Sequence, residues 1–243
     1  MVSKNQKKLI KSLYQKKYRK QHRLFVAEGK KVIKELLEAN LNLHSLYTTD
    51  DVFFEIDKKS LSHISLDELK QISFLTTPQT ALAVFHIPEE KRMNSTGLIM
   101  ALDNVRDPGN LGTIIRLCDW FGVKDLVCSK ETVDCFNPKV IQATMGSITR
   151  VNINYLDLKE FLESRKEGNT IFGTFMNGDN IYDTSLPENG IIVMGNEANG
   201  ISKPIEEIID QKITIPQFGD AQKTESLNVA TASAIVLSEF KRS

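Results

Sequence analysis

The sequence predicts an α/β protein in which a mostly parallel sheet, with helices on both faces, follows a smaller α/β unit. From residue 98 onward, short apolar segments alternate with segments of helical periodicity, a rhythm typical of parallel sheets. Residues 88–97 are polar and charged and lack periodicity, which indicates a linker. We therefore expect a small domain over residues 1–90, a linker over 91–97 and a second domain over 98–243.

The first domain is predicted to open with a basic helix over residues 3–22. Further elements then alternate in type. In chain order they are a strand over 24–29, an amphipathic helix over 30–40, a strand over 43–49, a helix over 65–73 and a strand over 80–88. Ser65 and Glu68 have the spacing of a capping box, which marks where the helix over 65–73 begins.

The second domain contains six apolar segments that predict strands. They read "GLIMALDNV", "KDLVCS", "RVNINYL", "NTIFGTFM", "GIIVMGN" and "QKITIPQ". Helices are expected over 109–121, near 138–147, in "DLKEFLESRKEG" and "SKPIEEIID", and over 226–241. The last helix is apolar nearly all round, so we expect it to be buried, with part of it at a subunit contact. Ligands of open parallel sheets bind beyond the carboxyl ends of the strands, so the turns there are the candidate site.

The charge of the chain is balanced in total but unevenly distributed. Residues 1–34 hold 12 of the 31 Lys and Arg residues and one of the 31 acidic residues. A basic block on an acidic body favours a polyanion such as nucleic acid as partner. The alternative is a solvated helix face. The candidate contacts are Lys16, Lys17, Arg19, Lys20 and Arg23.

Several function classes are disfavoured by what the sequence lacks. It has no apolar run of about 18 residues to cross a membrane and no apolar segment of a secretory signal at its N-terminus. Cys118, Cys128 and Cys135 lack CxxC spacing, so a core role in a reducing cytoplasm is favoured over a zinc site or disulfides. All four histidines precede residue 97, which excludes His-based acid–base chemistry from the second domain.

The first unusual turn is "ALDNVRDPGNLGTIIRLCDWFG", residues 101–122. Asp107 or Asn110 can cap the helix that follows, and proline is tolerated in a first helical turn. Gly112 and Arg116 are neighbours on that helix, and a cation beside bare backbone suits an anion or a ribose. The alternative is an ordinary capped helix whose arginine pairs with Asp119.

Two further turns carry polar residues where strands end. In "GIIVMGNEANGIS", Gly195 allows close approach of a ligand to the backbone, and Glu197 is poorly explained as a core residue. Glu197 could equally be a solvent-facing turn residue. Ser226 and Asn228 open the last helix and could be caps alone. No GxGxxG occurs, which disfavours a nucleotide-dependent oxidoreductase.

Together, "DPGNLGTIIR", "MGNEANGIS" and "IP…ESLNVATASAI" resemble the three motifs of the SpoU (TrmH-like) family of SPOUT RNA methyltransferases, in order and separation. The resemblance covers about residues 98–241, and "FVAEGKKVIKELL" and "PQTALAVF" resemble the family's preceding substrate-binding domain. It implies S-adenosylmethionine-dependent methylation of an RNA ribose 2′-hydroxyl, with rRNA favoured over tRNA. It also implies a C-terminal trefoil knot and a homodimer, and the cysteine pattern adds a cytoplasmic location. A catalytically inactive RNA-binding protein on this fold is the alternative from another class.

The resemblance also implies roles for residues at matching positions. The catalytic positions are Asn110, Arg116, Glu197, Ser226 and Asn228. The positions that bind the methyl donor are Thr144, Gly146, Met194, Gly195, Ile215 and Leu227. Arg116 is either the base that takes the hydroxyl proton or a clamp that holds a phosphate. Guanidinium groups keep their proton in proteins, which favours the clamp.

Overall fold

The fold is taken from a computed structural model that describes residues 1–50, 56–57, 59–91, 93, 96–219 and 226–242. The chain divides into two compact units. The first comprises Met1–Glu89 and Asp134–Thr149, and the second comprises Glu90–Val133 and Arg150–Ser243. The predicted linker over 91–97 falls in the second unit, and its residues 92, 94 and 95 lie outside the described residues.

The first unit alternates helices and strands as the sequence predicts. Its elements are α1 (Lys4–Ser12), α2 (Lys16–His22), β1 (Leu24–Glu28), α3 (Lys30–Glu38), β2 (Leu43–Thr48), β3 (Leu61–His63), α4 (Leu66–Ile72), β4 (Ala81–His86) and α6 (Pro138–Thr144), which is followed by a 3-10 turn (Ser147–Thr149). The strands form a sheet in the order β1-β4-β2-β3, in which only the β2–β3 pair, of the described pairs, is parallel. The capping box of Ser65 and Glu68 is present at α4, so that prediction is confirmed.

The structure differs from the sequence prediction at three places in this unit. One is β3, which was not predicted. The single helix expected over 3–22 is two helices, because the chain turns after α1 and buries Leu13. Residues 134–149, expected in the second domain, belong to the first unit. They do so because α6 packs on β1 and Ile141 enters a core shared with Phe25 and Phe85. No apolar pattern within α6 itself signals which core it joins.

The second unit contains the remaining elements. They are β5 (Leu98–Leu102), α5 (Pro108–Trp120), β6 (Asp125–Ser129), β7 (Asn152–Leu156), α7 (Leu158–Arg165), β8 (Ile171–Asn180), β9 (Gly190–Met194), α8 (Lys203–Glu206), β10 (Gln211–Thr214) and α9 (Val229–Arg242). The six strands form one sheet in the order β10-β8-β9-β5-β6-β7, and every described pair is parallel. The predicted α/β class with a parallel sheet is therefore confirmed.

Side chains alternate between the faces of this sheet, and both faces are covered. Ile99, Ile191 and their neighbours pack against α7 on one face. On the other face, Phe172 meets Phe240 of α9 edge to face, with ring centroids 5.0 Å apart. Helices thus lie on both faces, as the sequence predicts.

The last helix is buried on one side only. Its residues Ser233, Val236, Leu237 and Phe240 are buried, whereas Thr231 and Ser238 are exposed and Ala234 and Ile235 are half-buried. The chain itself therefore buries one side of the helix. Burial of the second side, which includes Ala234 and Ile235, at a subunit contact stays a prediction.

The cysteines are core residues, as the sequence indicates. Cys118, Cys128 and Cys135 are buried and unbridged, and burial raises the pKa of the Cys118 thiol to about 12. A thiol held in its protonated form is a poor nucleophile. Among the described residues, no helix is long and apolar enough to cross a membrane, and no group of three or more His, Cys, Asp or Glu could hold a metal ion.

Candidate active site at the carboxyl ends of the central strands

The candidate site begins where two adjacent central strands end. β5 and β9 are parallel neighbours with Leu102 opposite Met194, and the N–H of Asp103 donates to the carbonyl of Met194 at 2.9 Å. The turns that follow these strands therefore emerge at the same edge of the sheet. One of them leads into α5, and the other contains Glu197.

The first turn of α5 is organised by a cap. Asp107 is the N-cap, and its carboxylate accepts the N–H of Asn110 at 2.8 Å, while Pro108 occupies the first helical position. The cap is therefore Asp107, one of the two residues that the sequence allowed. Because Asp107 satisfies the helix end, the side chain of Asn110 is available for other contacts.

A chain of hydrogen bonds joins Asn110 to both other motifs. The Asn228 side-chain oxygen accepts the N–H groups of Ala230 and Thr231 at 2.9 and 3.2 Å, which caps α9. The amide nitrogen of Asn228 then donates to Asn110 Oδ1 at 2.9 Å. Asn110 Nδ2 in turn donates to Glu197 Oε1 at 2.8 Å. We call this chain of three side chains the Asn–Asn–Glu relay.

The donor and acceptor of every hydrogen bond in the relay follow from the end at Asn228, where the partners are backbone N–H groups. Backbone N–H groups can only donate, so Asn228 must present its oxygen to α9 and its nitrogen to Asn110. Asn110 must then accept with its oxygen and donate with its nitrogen. Glu197 therefore receives a donor, which an ionised carboxylate does best. Three of the five predicted catalytic residues form one network with a single consistent polarity.

The loop that carries Glu197 is held by its neighbour Asn196. The backbones of Asn196 and Gly200 exchange two hydrogen bonds of 2.9 Å. Asn196 Oδ1 accepts the N–H of Ala198 at 2.9 Å, and Asn196 Nδ2 donates to the carbonyl of Asn104 at 2.7 Å. The sequence reasoning did not select Asn196. An asparagine directly after a buried strand, within "GNEANG", was the signal that could have identified it.

Gly195 is required by this loop itself. A Cβ at Gly195 would lie 2.3 Å from backbone atoms of Gly200 and Ile201, so no side chain fits. The expectation that the missing side chain makes room for a ligand was therefore incomplete, because the loop's own backbone occupies that space. Gly195 nevertheless also lines a cavity.

That cavity, of about 1260 Å³, lies beside the relay within the second unit. Its lining includes four of the six predicted donor-binding residues, Met194, Gly195, Ile215 and Leu227, and two predicted catalytic residues, Glu197 and Ser226. Its wall also includes Thr174–Asn177, which the sequence reasoning did not select. Those residues continue β8 past the end of its neighbour β9, and the apolar end of "NTIFGTFM" was their only signal.

The other two predicted donor-binding residues are placed elsewhere. Thr144 and Gly146 belong to the first unit and do not line the cavity. The Thr144 hydroxyl is fully buried and donates to the carbonyl of Ile141 at 2.8 Å. A Cβ on Gly146 would lie 2.6 Å from the side chain of Glu35. The structure thus gives both residues packing roles at the end of α6.

Arg116 is exposed on α5 and takes no part in the relay. Its expected alternative partner, Asp119, instead accepts from Arg150 Nε at 2.9 Å. Among the residues that the structure describes, no hydrogen bond or ion pair engages the Arg116 guanidinium. The interpretation in which Arg116 pairs with Asp119 was therefore wrong, and this guanidinium remains available to an anion.

The predicted RNA contacts of the first unit do not share one environment. Lys16, Lys17, Lys20 and Arg23 are exposed, whereas Arg19 is only 2% exposed. Arg19 donates to Asp134 at 2.5 and 2.9 Å and to the carbonyls of Leu13 and Tyr14 at 2.8 Å. Its prediction as an RNA contact was wrong. The guanidinium is fully engaged by Asp134 and by the turn between α1 and α2, whose carbonyls no helix satisfies.

Comparison with known proteins identifies two families along the chain. Residues 97–238 match the SpoU rRNA Methylase family, and residues 4–83 match the MRM3-like substrate binding domain. The chain is 32% identical over 241 residues to the Bacillus subtilis 23S rRNA (guanosine(2553)-2′-O)-methyltransferase RlmP, covering 97% of this chain and 96% of that protein.

Solved structures give the same result. A TrmH-family protein from Porphyromonas gingivalis superposes with a TM-score of 0.89 at 38% identity, over 100% of this chain and 99% of the other. An AdoMet-bound rRNA methyltransferase from Sinorhizobium meliloti superposes with a TM-score of 0.86 at 27% identity, over 100% and 97%. The resemblance inferred from the three motifs is confirmed.

Proposed function

The chain belongs to the SpoU rRNA methylase family, and from that membership we propose that it methylates a ribose 2′-hydroxyl of rRNA with S-adenosylmethionine. The observation that carries the proposal is the Asn–Asn–Glu relay. It joins side chains from three separate segments at the edge of a cavity, with every hydrogen bond oriented toward one carboxylate. Surface turn residues that serve no shared function would not be expected to donate their hydrogen bonds in sequence toward one carboxylate.

The cavity fits the methyl donor in charge and size. Among the described lining residues, the charged ones are Glu197, Glu206 and Lys212, and Lys212 pairs with Glu206. In this described part of the wall Glu197 leaves a net negative charge, which suits a cationic sulfonium. Ligand pockets usually measure about 300–1,000 Å³. The cavity exceeds that range, so it can admit part of the acceptor nucleotide beside the donor.

Each part of the site has a distinct task in the proposed reaction. The donor supplies a methyl group made electrophilic by its positive sulfur. Met194, Gly195, Ile215 and Leu227 would hold it along the cavity wall. The 2′-oxygen forms a bond to the methyl carbon as the carbon–sulfur bond breaks, and the hydroxyl loses its proton. In-line alignment of the two groups supplies much of the rate.

We assign to Glu197 the removal of the hydroxyl proton, directly or through water. We assign to Arg116 the binding of a substrate phosphate. Glu197 Oε1 is occupied by Asn110, whereas Oε2 has, among the described residues, a single 3.4 Å contact to Asn196 and can accept a proton. Guanidinium groups hold their proton but grip phosphates with two parallel N–H donors. Arg116, exposed and unengaged by any described residue, suits the clamp better than the base.

The first unit supports RNA as the substrate. It matches a substrate-binding domain and exposes Lys16, Lys17, Lys20 and Arg23 along one stretch of chain. The relative that matches nearly the whole chain acts on 23S rRNA, which favours rRNA over tRNA. The first unit would bind the substrate and the second would transfer the methyl group.

Homodimerisation, a C-terminal knot and a cytoplasmic location complete the proposal. The half-buried side of α9, with Ala234 and Ile235, offers an apolar face that a second copy would cover. Three buried, unbridged cysteines suit a reducing compartment. Sedimentation measures the dimer directly: a monomeric mass for a preparation that still methylates RNA would exclude a required dimer.

The function is tested by transferring a radiolabelled methyl group to 23S rRNA and, separately, to tRNA transcripts. A 2′-O-methyl group blocks alkaline cleavage of the next phosphodiester. We therefore expect the label in an alkali-stable dinucleotide from rRNA. Label released in mononucleotides would mean base methylation and would overturn the proposal. Label in tRNA alone would retain the chemistry and replace the substrate.

A further inference from the structure

The only tryptophan of the chain, Trp120, lies at the end of α5 and is 84% exposed. Tryptophan is highly buried on average, because its ring removes a large apolar area from water. A single exposed apolar side chain is common on protein surfaces, so the neighbours of Trp120 decide whether it serves a partner. The relay does not use this residue, and it does not line the cavity.

Trp120 shares an exposed stripe of α5 with Arg116. Thr113, Arg116 and Trp120 are spaced i, i+3 and i+7 and are all exposed, whereas Ile114, Ile115 and Cys118 on the other side are buried. Arg116 and Trp120 are one helical turn apart, about 6 Å along the axis. The stripe thus presents a cation and a large aromatic ring side by side.

The charge around the stripe is positive. Asp119, the nearest acid in sequence, is bound by Arg150. Arg106, before the helix, is exposed and contacts only the Asn104 side chain, at 3.5 Å, among the hydrogen bonds of the described residues. Arg106 lies at the opposite end of α5 from Trp120, about 20 Å along the axis, so Arg116 is the cation beside the ring. An aromatic ring next to an arginine is an arrangement by which proteins hold single-stranded nucleic acid, with a stacked base and a bound phosphate.

We propose that Trp120 is an RNA-positioning residue: its indole stacks on an unpaired base near the target nucleotide while Arg116 holds a phosphate of the same strand. The inference rests on the proposed function, because it takes RNA as the substrate. A second copy of the chain is the other occupant of this surface, and the test below distinguishes it from RNA.

A single tryptophan makes the test direct, because all indole emission reports Trp120. The full chain is titrated with a 12-nucleotide single-stranded oligoadenylate and, separately, with a 23S rRNA transcript. Stacking should quench the emission of Trp120. In filter binding, Trp120→Ala should weaken oligoadenylate binding about 5- to 100-fold, the range for loss of one base–aromatic stack. Trp120→Phe should retain part of the affinity.

Leu66→Ala is the matched control, since Leu66 is an exposed apolar side chain of the first unit. It should leave oligoadenylate binding unchanged, and both variants should keep the wild-type melting temperature. Oligoadenylate and rRNA binding without quenching would overturn the proposal. A second pair of results would also overturn the proposal: Trp120 emission that shifts to the blue as the protein is concentrated without RNA, and a lower sedimented mass for Trp120→Ala. Together they would assign the ring to a subunit contact.

Methylation of the rRNA transcript is measured in parallel, so the two proposals fail separately. Quenching without methyl transfer would leave the stacking surface in place and remove the proposed function. Methyl transfer without quenching would keep the function and reject Trp120 as a positioning residue. Loss of rRNA methylation in Trp120→Ala through a raised KM, with kcat retained, is the kinetic result expected of a residue that positions the strand.

Discussion

Helices α2 and α5 each contain one arginine, and the two arginines lie in opposite surroundings. Arg19 of α2 lies in a dense cluster of cations, yet it is buried and bound to Asp134 and two carbonyls. Arg116 is the only cation of α5, and it is exposed while its neighbour Asp119 is bound by Arg150. The density of charged residues in the local sequence therefore does not identify the functional cation. What identifies it is whether the fold brings acids and carbonyls near the guanidinium.

The largest expected effect is on stability, at the buried arginine. Arg19→Ala leaves Asp134 without its partner and the Leu13 and Tyr14 carbonyls without donors. Breaking a buried ion pair in this way costs about 3–5 kcal/mol of unfolding free energy. Urea unfolding followed by circular dichroism measures it. Arg19→Met combined with Asp134→Leu should recover part of that free energy, whereas a stable Arg19→Ala protein would show that the pair contributes little.

The exposed arginine should show the reverse pattern. Arg116→Ala is expected to lower kcat/KM for rRNA methylation by about 100-fold, since misplacing a reacting group has this cost, and to leave stability unchanged. Arg116→Lys keeps the charge but not the two-pronged grip, so it should fall between wild type and alanine. Arg242→Ala, at an exposed arginine of α9, is the control. A lysine variant with wild-type kcat/KM would reject the bidentate clamp.

A smaller effect is expected from the exposed lysines of α2. Lys17→Gln with Lys20→Gln should weaken RNA binding several-fold and reduce the slope of log affinity against log salt by about 2, because each removed ammonium neutralises one phosphate fewer. Lys124→Gln with Lys241→Gln removes the same charge from exposed positions of the second unit. If both pairs change the salt slope equally, α2 is only part of a diffuse cationic surface.

The smallest effect concerns Glu28 of the first unit. Burial raises the pKa of its carboxyl, opposed by hydrogen bonds from Ser73 and Phe74 and by the charge of Lys11. The folded state therefore holds the proton more tightly, and unfolding free energy falls as pH rises from the unfolded pKa through the folded pKa. Calorimetry of Glu28→Gln across that window should lack the fall. A pH dependence identical to wild type, with exposed Glu167→Gln as control, would contradict this.

The features that could be predicted from the sequence are those determined by residues close together in the chain. The parallel sheet followed from strand and helix rhythm, and the caps at α4 and α5 followed from residues three positions apart. Non-local contacts were out of reach. The packing of α6 in the first unit and the pairing of buried Arg19 with Asp134 produce no local sequence pattern. Each depends on contacts between residues more than 100 positions apart.

The site divides along the same line. Motif identity supplied Asn110, Glu197 and Asn228, and the structure then joined them through bonds that span 87 and 118 residues. The resemblance also placed Thr144 and Gly146, from the separate segment "QATMGS", at the donor; that role stays a prediction, and both residues have packing contacts within the first unit. Residues whose roles rest on one local turn were easier to anticipate than those that depend on which core a helix joins.

The central claim is that Asn110 transmits a fixed hydrogen-bond polarity from α9 to Glu197. Single-turnover methyl transfer to 23S rRNA by Asn110→Asp tests it most directly, because the substitution keeps the shape and replaces the donor facing Glu197 with a second carboxylate oxygen. Loss of one positioned donor predicts a fall of about 100-fold or more in the transfer rate. Affinity for S-adenosylmethionine should hold, since Asn110 does not line the cavity. A transfer rate near that of the wild type would contradict the claim.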